Sequence, residues 1–133
     1  WDLRSMSVIK TLTGHTGCIN CATFDSGHRC LTGSSDNSLM AWDLRNLKHS
    51  KKIAAHTRPI CSISYMDSLI VTSSLDLTFK IWSALDYRLY QAFSDLTSPL
   101  LDCTFGFSDD SNTKCILGVA KDGNWRMFGK PFF

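Results

Sequence analysis

An all-β fold of short antiparallel strands is predicted by three observations. All 12 acidic residues of this 133-residue chain are Asp and none is Glu. With Ser, Thr, Gly and Asn plentiful, strong helix formers are scarce and turn formers common. Second, aromatic marks recur: Trp1 to Trp42 is 41 residues, Trp42 to Trp82 is 40, and Trp82 to Phe128 is 46. Third, the apolar positions keep the same register. Counting from His15, His56 and Leu96, Ile19, Ile60 and Leu100 stand four residues on, and Phe24, Tyr65 and Phe105 nine on. Near-alternating apolar runs bounded by Gly, Ser, Asn and Asp are the pattern of half-buried strands, and no segment reads as helix.

The elements follow in order. Residues 1–4 close a strand of a unit whose beginning is missing, and residues 8–12 continue it as an outer strand. Thr16-Gly17 turns the chain into a strand over 18–24, residues 25–28 make a hairpin loop, and 30–34 returns. Asp36-Asn37 forms a tight turn that tolerates positive φ, followed by a strand over 39–42 and an outer strand over 51–54. The second copy has a shorter loop at Met66-Asp67-Ser68 and a tight turn at Leu75-Asp76-Leu77, where two leucines flank the Asp. The third is degenerate: Leu96 stands for His and Phe128 for Trp. Its first hairpin loop, residues 106–114, carries about five extra residues, and its outer strand is missing or very short.

Gly14-His15 leading to Trp42-Asp43, and Ala55-His56 leading to Trp82, with a period of about 40 to 45, resemble the WD-repeat family. The resemblance implies a β-propeller arc of about three four-stranded antiparallel blades, part of a larger, seven-bladed ring. Residues 1–133 then form a single partial propeller domain, with 1–7 the end of a preceding blade and repeats at about 8–43, 50–83 and 90–128. Since the chain starts in mid-blade without an initiator Met, it reads as a piece of a longer protein.

His15, Thr32 or Ser34, and Asp36 contain the ingredients of a Ser-His-Asp hydrolase, and His56, Thr72 or Ser74, and Asp76 repeat them. A catalytic triad is needed once, whereas a structural device is needed in every blade, and no nucleophile elbow or phosphate loop accompanies these residues. The family resemblance implies instead a buried tetrad that joins each His, hydroxyl and Asp to Trp42 or Trp82. Thr32 and Ser34 share a strand face, as do Thr72 and Ser74, so the spacing leaves the hydroxyl open. No catalytic residue, cofactor or metal is expected. Cys18 and Cys21 have the gap of a zinc knuckle, but residues three apart on a strand point to opposite faces, and no second pair completes a site.

A propeller of this kind is expected to act as a protein-protein interaction scaffold, intracellular, in cytoplasm or nucleus, bound to other proteins and to the remaining blades of its parent. Three candidate contacts stand out. Arg4 and Arg45 end a doubled Trp-Asp-Leu-Arg that resembles the motif docking substrate receptors onto the adaptor of cullin-RING ubiquitin ligases. Leu75 and Leu77 flank the second tight turn on the side of Arg58, the composition of a contact hot spot. Arg45, Lys48, Lys51, Lys52 and Arg58 form a basic segment over 45–58 that offers an RNA-binding alternative. A net charge of only +2 argues against nucleic acid, and no apolar run is long enough for a membrane span.

Overall fold

The computed structural model describes residues 2–25, 27–108 and 113–129. Eleven strands appear there and no helix: β1 (Ile19–Asp25), β2 (Arg29–Ser34), β3 (Ser38–Asp43), β4 (Lys48–Ala54), β5 (Ile60–Met66), β6 (Leu69–Ser74), β7 (Phe79–Ser83), β8 (Leu89–Phe93), β9 (Leu100–Ser108), β10 (Thr113–Ala120) and β11 (Trp125–Gly129). They form three antiparallel sheets in chain order, β1-β2-β3-β4, β5-β6-β7-β8 and β9-β10-β11. The chain is thus all-β, with two four-stranded blades and a third that has three strands among the described residues. Each hairpin sits where a turn signal stands. Asn37 at φ 67° closes the tight turn of the first blade, and Leu77 holds the same left-handed backbone at φ 65° in the second.

Several boundaries differ from the sequence reading, each for a physical reason. Residues 8–12 form no strand; only an Asp2 to Ser7 bridge marks this region. None of the three described sheets offers that stretch a strand to pair with. The expected loop over 106–114 is largely hairpin, because β9 runs on to Ser108 and pairs it with Thr113. The extra residues therefore lengthen two strands, and residues 109–112, most of the polar run, lie outside the described residues, as does Ser26 of the first hairpin. The outer strand of the first blade starts at Lys48, three residues earlier than expected, because a bulge between Ala41 and Trp42 lets Asp43 pair with Lys48.

The blades pack face to face, and the middle one is covered on both sides. One of its faces presents Ile63, Ile70 and Trp82 to Leu31, Leu39 and Ala41 of the first blade. The other presents Leu69, Val71, Phe79 and Ile81 to Leu100, Cys103 and Ile116 of the third. This explains why all six residues of β6 are buried, a continuous apolar-and-small run where one-sided strands alternate. Polar latches join the same neighbours. Asn20 Nδ2 donates to the Ile60 carbonyl at 2.8 Å, Ser62 Oγ donates to Asp102 Oδ1 at 2.5 Å, and the His56 amide donates to the Asn37 carbonyl at 3.2 Å. The two outer faces of the arc are open and apolar: Ile19 and Phe24 at one end, Val119, Trp125 and Met127 at the other, each more than half exposed.

The first seam is tight enough to specify a glycine. A Cβ at Gly33 would stand 2.6 Å from Ile60 Cγ2 and 2.7 Å from Cys21 Sγ, so Gly33→Ala must push the blades apart. Overpacking of this kind costs about 1 to 3 kcal/mol. Urea denaturation of the parent protein should show that loss, and an unchanged midpoint would mean that the seam is not close-packed.

Candidate functional site

The two His-containing networks are assembled from the same places in their blades. The loop before β1 or β5 supplies the His, the central strand β2 or β6 the Thr, the following tight turn the Asp, and the third strand, β3 or β7, the Trp. In the first blade His15 Nδ1 lies 3.0 Å from Asp36 Oδ2, His15 Nε2 lies 2.7 Å from Thr32 Oγ1, and Trp42 Nε1 lies 2.8 Å from that hydroxyl. In the second the corresponding distances, for His56, Asp76, Thr72 and Trp82, are 2.9, 2.8 and 2.9 Å.

Proton positions follow from what each group can do. An indole N–H only donates, so each Thr oxygen accepts from its Trp, and each Asp carboxylate accepts from His Nδ1–H. For His56, lowered by burial, Nε2 is left to accept the Thr72 hydroxyl proton. The carboxylate collects further donors: the Thr16 amide at 3.0 Å and Ser38 Oγ at 2.5 Å for Asp36, the Thr57 amide at 3.1 Å and Thr78 Oγ1 at 2.6 Å for Asp76.

These contacts explain the acidities. Burial raises the Asp76 carboxyl, but the Thr78 hydroxyl, the Thr57 amide and His56 together outweigh it and hold the group at about 2. Asp36 is opposed by burial in the same way and is pulled still further down by Ser38, Thr16 and His15. His56, whose side chain is fully enclosed, is lowered below the ordinary imidazole value by burial, against the attraction of Asp76.

Of the hydroxyl candidates the structure brings Thr32 and Thr72 to the His and Trp. Ser34 and Ser74 lie elsewhere: their Oγ atoms accept the amides of Asp36 and Asp76 at 3.0 and 3.1 Å and so close the turns. Two partners escaped the sequence reading, Ser38 and Thr78. Their signal was present, since a hydroxyl stands two residues after the Asp in both repeats, as was a Thr directly after each His. In the third blade Leu96 and Phe128 pack against the second core cluster. The Phe79 ring lies 4.3 Å from that of Phe93 and 4.5 Å from that of Phe128, and Asp122 turns to Arg126 at 2.6 Å.

The candidate contact residues are spread over the surface. The Arg45 guanidinium pairs with Asp43 at 2.8 Å, and the hydrogen bonds from Arg45 hold the Asp43 carboxyl down at about 2. The Arg4 amide repeats part of this turn, donating to Asp2 Oδ1 at 2.8 Å. The Arg58 carbonyl accepts from Ser74 Oγ at 3.0 Å and the Pro59 carbonyl from the Leu75 amide at 3.1 Å, so Arg58 adjoins the Leu75-Leu77 turn. Leu75 is half-buried and Leu77 is 40 % exposed. Within the basic segment Lys52 reaches Asp36 at 3.5 Å, so two of its five cations are held by carboxylates. Cys18 is exposed, while Cys21 turns inward, its thiol pushed up to about 12 by burial. Among the described residues no three His, Cys or Asp side chains gather as a metal site, and none of them forms a helix long and apolar enough to cross a membrane.

The family model described as WD domain, G-beta repeat matches residues 6–43 and 47–83. Among curated proteins, F-box/WD repeat-containing protein 10 of Homo sapiens is 28% identical over 65% of this chain and 8% of its own length. Protein Notchless of Drosophila melanogaster is 33% identical over 64% of this chain and 19% of its own length. Autophagy-related protein 16 of Arabidopsis thaliana is 27% identical over 96% of this chain and 25% of its own length. The chain thus spans no more than about a quarter of the curated relatives it matches here. Two repeat matches covering more than half of the sequence, on two blades of like geometry, make this chain a member of the WD domain, G-beta repeat family.

Proposed function

We propose that the chain is a section of a protein-protein interaction scaffold, intracellular, completed by the remaining blades of a seven-bladed parent propeller, and that the Leu75-Leu77 turn with Arg58 is a contact patch for a partner protein. The observation that carries this is Leu77. A leucine in the left-handed region costs roughly 1 kcal/mol relative to Gly, and with 40 % of its surface exposed it recovers only part of that by burial. Strain kept at a solvent-facing apolar side chain is the mark of a residue held for contact. The His-Thr-Asp-Trp networks are structural on this reading. Each occurs once per intact blade, and in each the Thr oxygen beside the His is buried and already bonded by the Trp indole, which leaves no room for a substrate.

The finer role of substrate receptor for a ubiquitin ligase draws support from the F-box/WD repeat relatives and from the Trp-Asp-Leu-Arg endings. It requires Arg45 to leave Asp43 for a partner. Purified adaptor of a cullin-RING ligase should then bind the parent protein and lose affinity in the double variant Arg4→Ala with Arg45→Ala; equal binding by both would remove this role.

For the contact patch, Leu77→Asn should give opposite signs in two assays. Asn tolerates positive φ, so thermal unfolding should show stability unchanged or raised by up to about 1 kcal/mol. Capture of partner proteins by the parent chain, quantified against wild type, should fall several-fold, since a hot-spot residue carries more than about 1 kcal/mol. Undiminished capture would contradict the patch.

The structural reading of the networks also fixes the sign of a pH effect. Because the folded state holds the His56 proton less tightly than the unfolded chain, the unfolded state takes up protons first as pH falls through 6.5. Stability is present above that value and is lost below it. Asp36 and Asp76, lowered from 3.8, add a second loss in stronger acid. Chemical denaturation between pH 8 and pH 5 should show falling stability, with a shallower slope in His56→Asn. Flat stability across that range would contradict the neutral, enclosed imidazole.

A further inference from the structure

One position recurs after each Trp of the repeats. The fifth residue after Trp1, Trp42 and Trp82 is Met6, Leu47 and Tyr87, and these three hold a left-handed backbone, at φ 52°, 56° and 61°. Glycine adopts that conformation freely and a large side chain does not, so a large side chain kept there points to contacts that hold it. Tyr87 shows such contacts. Its ring packs against the core between the first two blades, its hydroxyl accepts from Arg29 Nη1 at 3.2 Å, and the guanidinium carbon lies 5.9 Å from the ring centre. The turn between β7 and β8 of the second blade is thereby seated on the start of β2 in the first.

The third blade repeats the spacing with a different pair of residues. Phe128 stands opposite Ile116 as Trp82 stands opposite Ile70, and the fifth residue after it is Phe133. Residues 130–133 lie outside the described residues, but the matching seat lies within them. Leu69 stands opposite Ser83 as Arg29 stands opposite Asp43, and Leu69 lines a cavity of about 390 Å³ on the face that the second blade turns to the third. Ile81, Tyr90 and Gln91 form further walls, and Lys114 of β10 lines it from the third blade, paired with Asp67 at 2.9 Å. Lys114 precedes Cys115, which stands opposite Gly129, so β11 ends beside the cavity. From Gly129 to Phe133 is four residues, the span that carries Tyr87 from Ser83. The two seats differ as their occupants do: Arg29 offers a donor to a tyrosine hydroxyl, whereas Leu69 offers none and a phenylalanine needs none.

We propose that the cavity at Leu69 is the docking site of this chain's own Phe133, which clasps the third blade to the second as Tyr87 clasps the second to the first. The clasp goes beyond the scaffold reading and is independent of the partner taken by the Leu77 turn. The parent protein would carry photoreactive benzoylphenylalanine in place of Phe133 and, in a second sample, in place of Phe132. After irradiation and digestion, mass spectrometry locates the crosslinks. The probe at 133 should join, within one chain, the peptides holding Leu69 or Tyr90 and Gln91, several-fold more than the probe at 132. Amide hydrogen exchange gives a second measurement that needs no probe. Phe133→Ala should speed exchange several-fold in Leu69–Ser74 and Thr113–Ala120, Phe133→Leu should restore most of the protection, and Phe132→Ala should leave it in place. No crosslink to those peptides, equal yields from the two positions, a crosslink to a second copy or to another protein instead, or exchange unaltered by Phe133→Ala would each overturn the proposal.

Discussion

One hydroxyl in each intact blade carries the arrangement. Thr32 and Thr72 are the points at which a strand, a loop and the next strand are fastened together, because each accepts the indole proton and bonds the imidazole. The imidazole donates from Nδ1 to the Asp, and the loop entering each blade is thereby tied to the turn leaving its second strand. Buried donors and acceptors left without partners cost about 1 to 3 kcal/mol each, so closing the network matters more than the energy of any single bond. The third blade shows the alternative. With Leu96 and Phe128 in place of His and Trp, it is held by apolar contact on Phe79 and Phe93, and its Asp122 pairs within its own turn.

Packing between blades sets the second constraint. The middle blade buries both faces and the outer two bury one, so the arc ends in open surfaces of Ile19 and Phe24 on one side and Val119, Trp125 and Met127 on the other. Repeat units of this kind complete their cores only against neighbours. Polar latches at Asn20, Ser62 and Asn37 fix how far each blade is rotated on the next, and Gly33 lets Ile60 approach. Against this rigid frame, Leu77 stands out, because it keeps a left-handed backbone at an exposed side chain and does not improve the fold.

Much of this was legible in the sequence because repetition averages out local ambiguity. The spacing of His15, Asp36 and Trp42, matched by His56, Asp76 and Trp82, placed the network, and the apolar register placed the inner strands to within a residue or two. The choice between Thr32 and Ser34 was not legible. Alternation puts both on one face, and only the twist and depth of the sheet decide that Thr32 meets the Trp while Ser34 meets the turn amide. Strand ends failed where tertiary context decides them. A bulge at Trp42 moved the start of β4 to Lys48, the extra residues of the third repeat became ladder rungs up to Ser108 and Thr113, and residues 8–12 found no sheet to join. The engagement of Arg45 by Asp43 and of Lys52 by Asp36 was likewise hidden, since the basic segment holds no acid and the carboxylates come from outside it.

Each intact blade depends on its shared hydroxyl, and Thr72→Val in the parent protein tests that dependence most directly. Valine keeps the shape and removes the oxygen, so two buried partners, His56 Nε2 and Trp82 Nε1, lose their bond at once. Equilibrium unfolding should show a loss of roughly 2 to 4 kcal/mol, with most of it restored in Thr72→Ser, whose oxygen can occupy the same place. A Thr72→Val protein as stable as the wild type would contradict the account, since the network would then be an ornament on a fold held by packing alone.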